Sequence, residues 1–151
     1  MSLLDDHRRC AHADESGLTA VYDTGFRLAS QPTAPFLARE RVARIMQRWG
    51  LRGGLRDNVT VVMSELIANA VLHASGEGGH ILVALSLGTR LRAEVTDADF
   101  LHEPALQFSG ATDEGGRGLL LVHALSADWG VRSYPPLGKT VWAEFALPGT
   151  S

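Results

Sequence analysis

The chain has 151 residues, of which 45% are hydrophobic and 21% are charged, a composition typical of one soluble globular domain. Its formal net charge of −3 excludes the basic surface that nucleic-acid-binding proteins usually present, and no apolar stretch is long enough to span a membrane. The N-terminal segment "MSLLDDHRRCAHADESG" lacks the apolar run of a secretion signal, and the single cysteine, Cys10, allows no internal disulfide. These features predict a cytoplasmic protein.

The first half of the chain contains a polar arm, one strand and two helices. Residues 1–20 are polar and predict a flexible arm, which leaves residues 21–151 as a single domain. "TGFRLAS" alternates as a strand does, and "QPTAP" stops it. Residues 34–49 place apolar side chains at helical spacing up to Gly50, and a second helix is predicted over residues 56–74, closed by "SGEGG".

The second half of the chain contains four predicted strands around one helix. "HILVALSL" and "LRAEVTD" are strands joined by "GT" as a hairpin, and residues 97–115 read as a long loop. "GGRGLLLVHALSADWG" opens with glycines and continues as an apolar helix, and "WGVRSY" and "KTVWAEFALP" form a closing hairpin. This order predicts an α/β (α+β) two-layer sandwich, in which a mixed, mainly antiparallel sheet carries the helices on one face.

The second predicted helix carries an unusual polar stripe within "SELIANAVLHA". Glu65, Asn69 and His73 follow one another at four-residue steps, which place side chains along one side of a helix. On a helical projection this stripe flanks the apolar face, so its residues belong at the rim of the core. Taken alone, Glu65 and Asn69 are more often a solvated helix face, and a histidine near a helix end is more often favoured by the helix dipole.

Two further segments are candidates for ligand binding. In "EGGRGLLLV" the glycines and Arg117 directly precede a helix, whose exposed backbone N–H groups can bind an anion, although a flexible turn with an ordinary cap is about equally common. Asp97 ends the strand "LRAEVTD", and a fixed carboxylate can select a ligand that offers an amino group, such as adenine. For a lone aspartate, a turn residue is the more common explanation.

Four segments that occur together in one order identify a protein family more specifically than any one of them alone. "ELIANAVLHA", "EVTDADF", "GGRGLLLV" and "GKTVWAEF" together resemble the Bergerat-fold (GHKL) ATPases, and the likeness is greatest to the small anti-sigma-factor serine kinases. The resemblance covers residues 26–147 and implies the Bergerat ATP-binding fold, with ATP and Mg²⁺ as the cofactors. The same resemblance assigns roles to individual residues.

Glu65 matches the general base of the family, Asn69 the residue that helps hold Mg²⁺, and Asp97 the carboxylate that reads the adenine amino group. The glycine-rich segment would lie against the phosphates beneath a mobile lid, and Thr140 would support the adenine pocket. The nucleotide-binding residues implied by the resemblance are therefore Asn69, His73, Asp97, Gly115, Gly116, Arg117, Gly118, Leu119 and Thr140.

The resemblance implies an anti-sigma factor that is also an ATP-dependent serine kinase. Its partners would be a sigma factor and a small antagonist protein that it phosphorylates, without direct contact to nucleic acid or membrane. Relatives often dimerise, so a homodimer is also an expectation. Retention of Glu65 and Asn69 favours this function.

The alternative is a non-catalytic regulatory module, with or without bound nucleotide, that acts by partner exchange. Asp99 favours it, because it stands where the wider superfamily has the first glycine of D-x-G-x-G. A histidine-kinase ATP domain is less favoured, because no helical dimerisation segment with a phospho-acceptor histidine precedes the domain.

Overall fold

Five strands and three helices make up the part of the chain that the computed structural model describes, which is residues 22–73, 79–97, 114–134 and 138–148. For residues 73, 114–118 and 134 the description is limited to the backbone. The elements in chain order are β1 (Tyr22–Ala29), α1 (Ala34–Arg48), α2 (Gly53–His73), β2 (His80–Leu87), β3 (Arg90–Asp97), α3 (Glu114–Leu125), β4 (Asp128–Tyr134) and β5 (Gly138–Ala146). Their order agrees with the sequence prediction. The predicted arm at residues 1–20 and nearly all of the predicted loop lie outside the described residues.

The junction between α1 and α2 depends on two glycines with positive φ. The N–H of Gly50 donates to the carbonyl of Gln47 at 3.0 Å, and the N–H of Leu51 donates to that of Met46 at 2.8 Å, which closes the end of α1. Gly50 has φ 78° and Gly53 has φ 69°, a backbone region that favours glycine. Since Gly53 turns the chain directly into α2, this helix begins three residues before the predicted start at Arg56.

The sheet has the strand order β1-β2-β3-β5-β4, and each neighbouring pair of described strands is antiparallel. The predicted mainly antiparallel sheet is confirmed. The two hairpins predicted from sequence, β2 with β3 and β4 with β5, are also present. Sequence periodicity did not indicate that β5 lies between β3 and β4, because that placement depends on a non-local pairing.

One face of the sheet is buried beneath the helices. Alternate residues of the strands form apolar rows there, for example Phe26, Val83, Val95 and Val141, which are paired in turn across the sheet. The helices contribute buried residues to the same core: Ala38, Val42, Ile45 and Met46 from α1, and Val59, Val62, Met63, Leu66, Ile67 and Ala70 from α2. The predicted two-layer arrangement follows from this alternation. None of the described helices is both long and apolar enough to cross a membrane.

The opposite side of the sheet, called the outer face below, carries charged side chains on its central strands. Arg92 bonds to Glu94 at 2.7 Å and to Glu144 at 2.9 Å, and its guanidinium lies 4.4 Å from the ring centre of Trp142. Partial burial lowers the pKa of Arg92, but the hydrogen bonds and charges of the two glutamates outweigh this effect and raise it overall. Arg92 thus remains charged and links β3 to β5 on the outer face.

Candidate functional site

The polar stripe of α2 lies at the border of the core, as the sequence predicts. Asn69 is only 8% exposed, and its neighbours Leu66 and Ala70 are buried, whereas Glu65, one turn earlier, is half-buried. His73 is the last residue of α2. From Glu65 to Asn69 the stripe thus passes from the half-buried rim toward the interior.

Asn69 carries the most unusual polar atom of this helix. Its side-chain oxygen Oδ1 is buried and accepts no hydrogen bond within the described part of the chain. Leaving such an acceptor unsatisfied costs about 1–3 kcal/mol, so native proteins usually supply a partner. An amide oxygen in this state is a suitable ligand for a hard cation or a hydrogen-bond donor.

Asp97 lies at the end of β3 on the helix-covered side of the sheet. It is 5% exposed and shares that side with Val95, while Ile81 of β2 is its neighbour in the pairing. A carboxylate in this position is shielded from water and can offer acceptor atoms to a ligand at the end of the sheet. The structure thus buries the residue for which adenine recognition is expected.

Lys139 is the residue that sequence reasoning missed. It pairs directly with Asp97 across β5 and β3, and it is 2% exposed. The signal was present in the alternation of "KTVWAEF", because Lys139 has the same parity as Val141, Ala143 and Phe145, all of which are buried. The resemblance assigned a role to its neighbour Thr140 and none to Lys139.

Thr140 lies on the outer face, not on the side that carries Asp97. Successive residues of a strand point to opposite faces, so Thr140 alternates with Lys139. Its hydroxyl Oγ1 is 2.6 Å from that of Thr96, its partner in the neighbouring strand. Thr140 is therefore not the direct partner of Asp97 in the sheet, and Lys139 occupies the position opposite the carboxylate.

The glycine-rich segment forms the first turn of α3. The helix begins at Glu114, so Gly115, Gly116, Arg117 and Gly118 are inside it, whereas the sequence prediction placed them directly before it. The first N–H groups of a helix have no intrahelical partner and favour anions. Leu119 is 2% exposed, so its side chain packs in the interior and only its backbone remains available to a ligand.

Chain connections direct these elements to one end of the molecule. The end of α2 leads through residues 74–78, outside the described residues, to β2, whose Ile81 pairs with Asp97. Only Ser126 and Ala127 separate α3 from β4, and β4 runs toward the pairing of Tyr134 with Gly138, next to Lys139. Since such a short connection reverses the chain, we expect the first turn of α3 to lie toward this same end.

The donor set is compatible with Mg²⁺ bound together with a phosphate ligand. No cluster of three or more histidine, cysteine, aspartate or glutamate side chains that could hold a metal occurs among the described residues. Mg²⁺ is commonly bound by one or two protein oxygens, with waters and phosphate oxygens completing its coordination. The unsatisfied Oδ1 of Asn69 fits that requirement.

Comparison with known proteins agrees with this geometry. Residues 28–145 match the family model described as the histidine kinase-like ATPase domain. The fold is similar to the crystal structure of the RsbU and RsbW domains of Rv1364c from Mycobacterium tuberculosis, with a TM-score of 0.61 and 19% sequence identity over 82% of this chain. The chain spans 32% of the length of that protein chain. No curated protein sequence is significantly similar.

The family match covers both the helix of Glu65 and Asn69 and the paired strands of Asp97 and Lys139. The expected resemblance to GHKL ATPases is thereby confirmed. The chain belongs to the family of histidine kinase-like ATPase domains.

Proposed function

We propose that this domain binds Mg·ATP and transfers the γ-phosphoryl group to a serine of a small partner protein. The observation that carries the proposal is the buried, unsatisfied Oδ1 of Asn69, one helical turn from the half-buried carboxylate of Glu65. Phosphoryl transfer to a hydroxyl uses a bound metal ion and a residue that orients or deprotonates the nucleophile, and Asn69 and Glu65 can supply these two functions.

Each residue has a distinct task in this proposal. Asn69 would hold Mg²⁺, which when bound neutralises charge on the triphosphate. Glu65 would accept the proton of the attacking serine hydroxyl, and Asp97 would accept a hydrogen bond from the adenine amino group. The free N–H groups in the first turn of α3 would contact the phosphates.

The partners in this proposal are those of an anti-sigma factor. The motifs shared with anti-sigma-factor serine kinases support a sigma factor as the protein that is held and a small antagonist as the substrate. The similarity to a structure that contains an RsbW domain supports the fold on which such a function would rest.

A non-catalytic module is the second candidate, and Asp99 is the observation that favours it. This residue lies outside the described residues, at a position where the superfamily has a glycine. A carboxylate near the phosphates would oppose them electrostatically. In that case nucleotide or partner binding would persist without phosphoryl transfer.

Titration of the purified chain with Mg·ATP, followed by a transfer assay, tests the proposal. We expect ATP and ADP to raise the melting temperature in the presence of Mg²⁺, because a ligand that binds only the folded state stabilises it by mass action. Labelled γ-phosphate should then appear on a serine of a candidate antagonist domain. Binding without transfer to any candidate would favour the second candidate, and absence of nucleotide binding would contradict the proposal.

A further inference from the structure

Lys139 and Asp97 place opposite charges directly across from each other in the interior. They are partners in the β3–β5 pairing, and they are 2% and 5% exposed, respectively. Residues directly opposite in an antiparallel pair have Cβ atoms about 4.5–5.5 Å apart. The flexible four-carbon stem of lysine can therefore bring its ammonium group to the carboxylate.

The surroundings of this pair on the sheet are apolar. Ile81 neighbours Asp97 from β2, and the next pair along the same face is Val95 with Val141, all three buried. The arginines of β3, Arg90 and Arg92, have the opposite parity and bond to Glu144 on the outer face. Their positive charges are therefore directed away from Asp97.

A buried carboxylate is costly unless a positive charge or several donors compensate it, and the same holds for a buried ammonium group. The two residues meet this requirement for each other. A carboxylate that stays ionised only accepts hydrogen bonds, whereas a protonated one can also donate. The charge at position 139 therefore controls which ligand groups Asp97 can recognise.

We propose that Lys139 is a positioning residue that keeps Asp97 ionised and oriented, and so sets the preference of the site for a base with an exocyclic amino group. This inference rests on the proposed nucleotide-binding function. Adenine offers an amino group at the position where hypoxanthine, the base of inosine nucleotides, has an oxo group. An ionised Asp97 accepts from the first and repels the second.

Binding of Mg·ADP and Mg·IDP to the full chain, measured by calorimetry, tests this inference. Lys139→Met leaves the carboxyl buried without its opposite charge, so it takes up a proton and can donate to the oxo group. We expect at least a tenfold loss of ADP affinity, with a smaller loss or a gain for IDP. Lys139→Arg retains the charge and should keep the preference for ADP. Arg132→Met, which removes an exposed positive charge from β4, is the matched control and should change neither affinity.

A double-mutant comparison separates positioning from general support of the fold. In an Asp97→Asn background, Lys139→Met should alter neither nucleotide affinity further. The inference would be overturned if Lys139→Met lost equal affinity for ADP and IDP, or if it kept the nucleotide preference of the unaltered chain. It would also be overturned if Lys139→Met caused the same loss of affinity with Asp97 and with Asn at position 97. If Lys139→Met does not fold, recovery of folding in the double variant supports the pair, and failure of both variants to fold overturns it. Absence of ADP binding to the unaltered chain would instead overturn the proposed function. In that case, a double variant more stable than Lys139→Met alone would still show that Lys139 and Asp97 interact.

Discussion

Glu65 and Asn69 are separated by one turn of α2, and their different burial predicts different responses to mutation. Glu65 is half-buried, so Glu65→Gln should keep the size of the side chain and the fold. If Glu65 is the base, phosphoryl transfer should fall by roughly 10²–10⁴-fold, because the amide cannot accept the proton. Mg·ATP affinity, measured by calorimetry on the same sample, should remain close to that of the unaltered chain. Equal losses in affinity and transfer would contradict the role of a base.

Asn69→Leu should separate stability from binding. Leucine has a similar size and removes the unsatisfied Oδ1, so we expect the free energy of unfolding without nucleotide to stay the same or to rise by about 1 kcal/mol. The stabilisation by Mg·ADP should disappear, because the metal ligand is gone. Thermal unfolding with and without Mg·ADP measures both effects. A variant that keeps the full shift in melting temperature would exclude Asn69 from the metal site.

At the level of residues, the sequence singled out Glu65, Asn69 and Asp97 as candidates, and the structure adds Lys139, which lies opposite Asp97. The four-residue spacing of Glu65 and Asn69 is a local property of one helix and could be read directly. The role expected of Thr140 came from the resemblance alone, whereas its partner Thr96 is set by the non-local register of β5 with β3. The alternation of "KTVWAEF" indicates that Lys139 is buried, but its position opposite Asp97 becomes visible only in the pairing of β5 with β3.

At the level of elements, Gly130 of β4 is required by a close contact within the sheet. A Cβ atom built at this position would lie 2.7 Å from Cζ2 of Trp142. Arg92 covers the indole of Trp142 and is itself held in place by its bond to the carboxylate of Glu144. The ring therefore has little freedom to move. We therefore expect Gly130→Ala to lower the free energy of unfolding by about 1–3 kcal/mol, as overpacking does.

Gly54 in the first turn of α2 provides the control for that measurement. A Cβ atom there would meet nothing within 4 Å, and its φ lies outside the positive range. Gly54→Ala should leave stability unchanged or raise it by up to about 1 kcal/mol, since alanine favours the helix. Urea unfolding of the two variants side by side tests the pair of predictions. Equal destabilisation by both would show that the contact with Trp142 is not the cause.

The boundaries of elements were predictable where the turn chemistry was simple. The end of α1 at Arg48, shortly before Gly50, and the β2–β3 hairpin agree with the sequence prediction. The start of α2 differed because three glycines were read as a break, whereas the left-handed backbone of Gly53 joins the turn to the helix. The first turn of α3 differed in the same way, since glycines were expected outside the helix rather than within it.

At the level of the whole molecule, the core draws on most of the described chain. We therefore predict that residues 1–20 are not needed for stability. The core cluster begins at Phe26 of β1 and ends at Phe145 of β5. Tyr22, at the start of β1, stacks on Trp49 with ring centres 5.7 Å apart, so the deletion should stop before it. We expect a chain lacking residues 1–20 to unfold at the same temperature as the full chain, within about 2 °C. Calorimetry of the two proteins, each with and without Mg·ADP, measures this. A larger drop in the unfolding temperature would show that residues 1–20 contribute to the core.

The strand order of the sheet also decides when the site becomes complete during synthesis. β5 lies between β3 and β4, so β3 has an unpaired edge until the ribosome has made the later strand. During that interval Asp97 is on an open strand without Lys139 beside it, and the apolar row that ends at Val95 is exposed. A nascent chain that stops before Gly138 therefore lacks the strand that brings Lys139 to the proposed nucleotide site. Completion of translation through β5 is therefore the step that covers the open edge of β3 and completes the site proposed for the nucleotide.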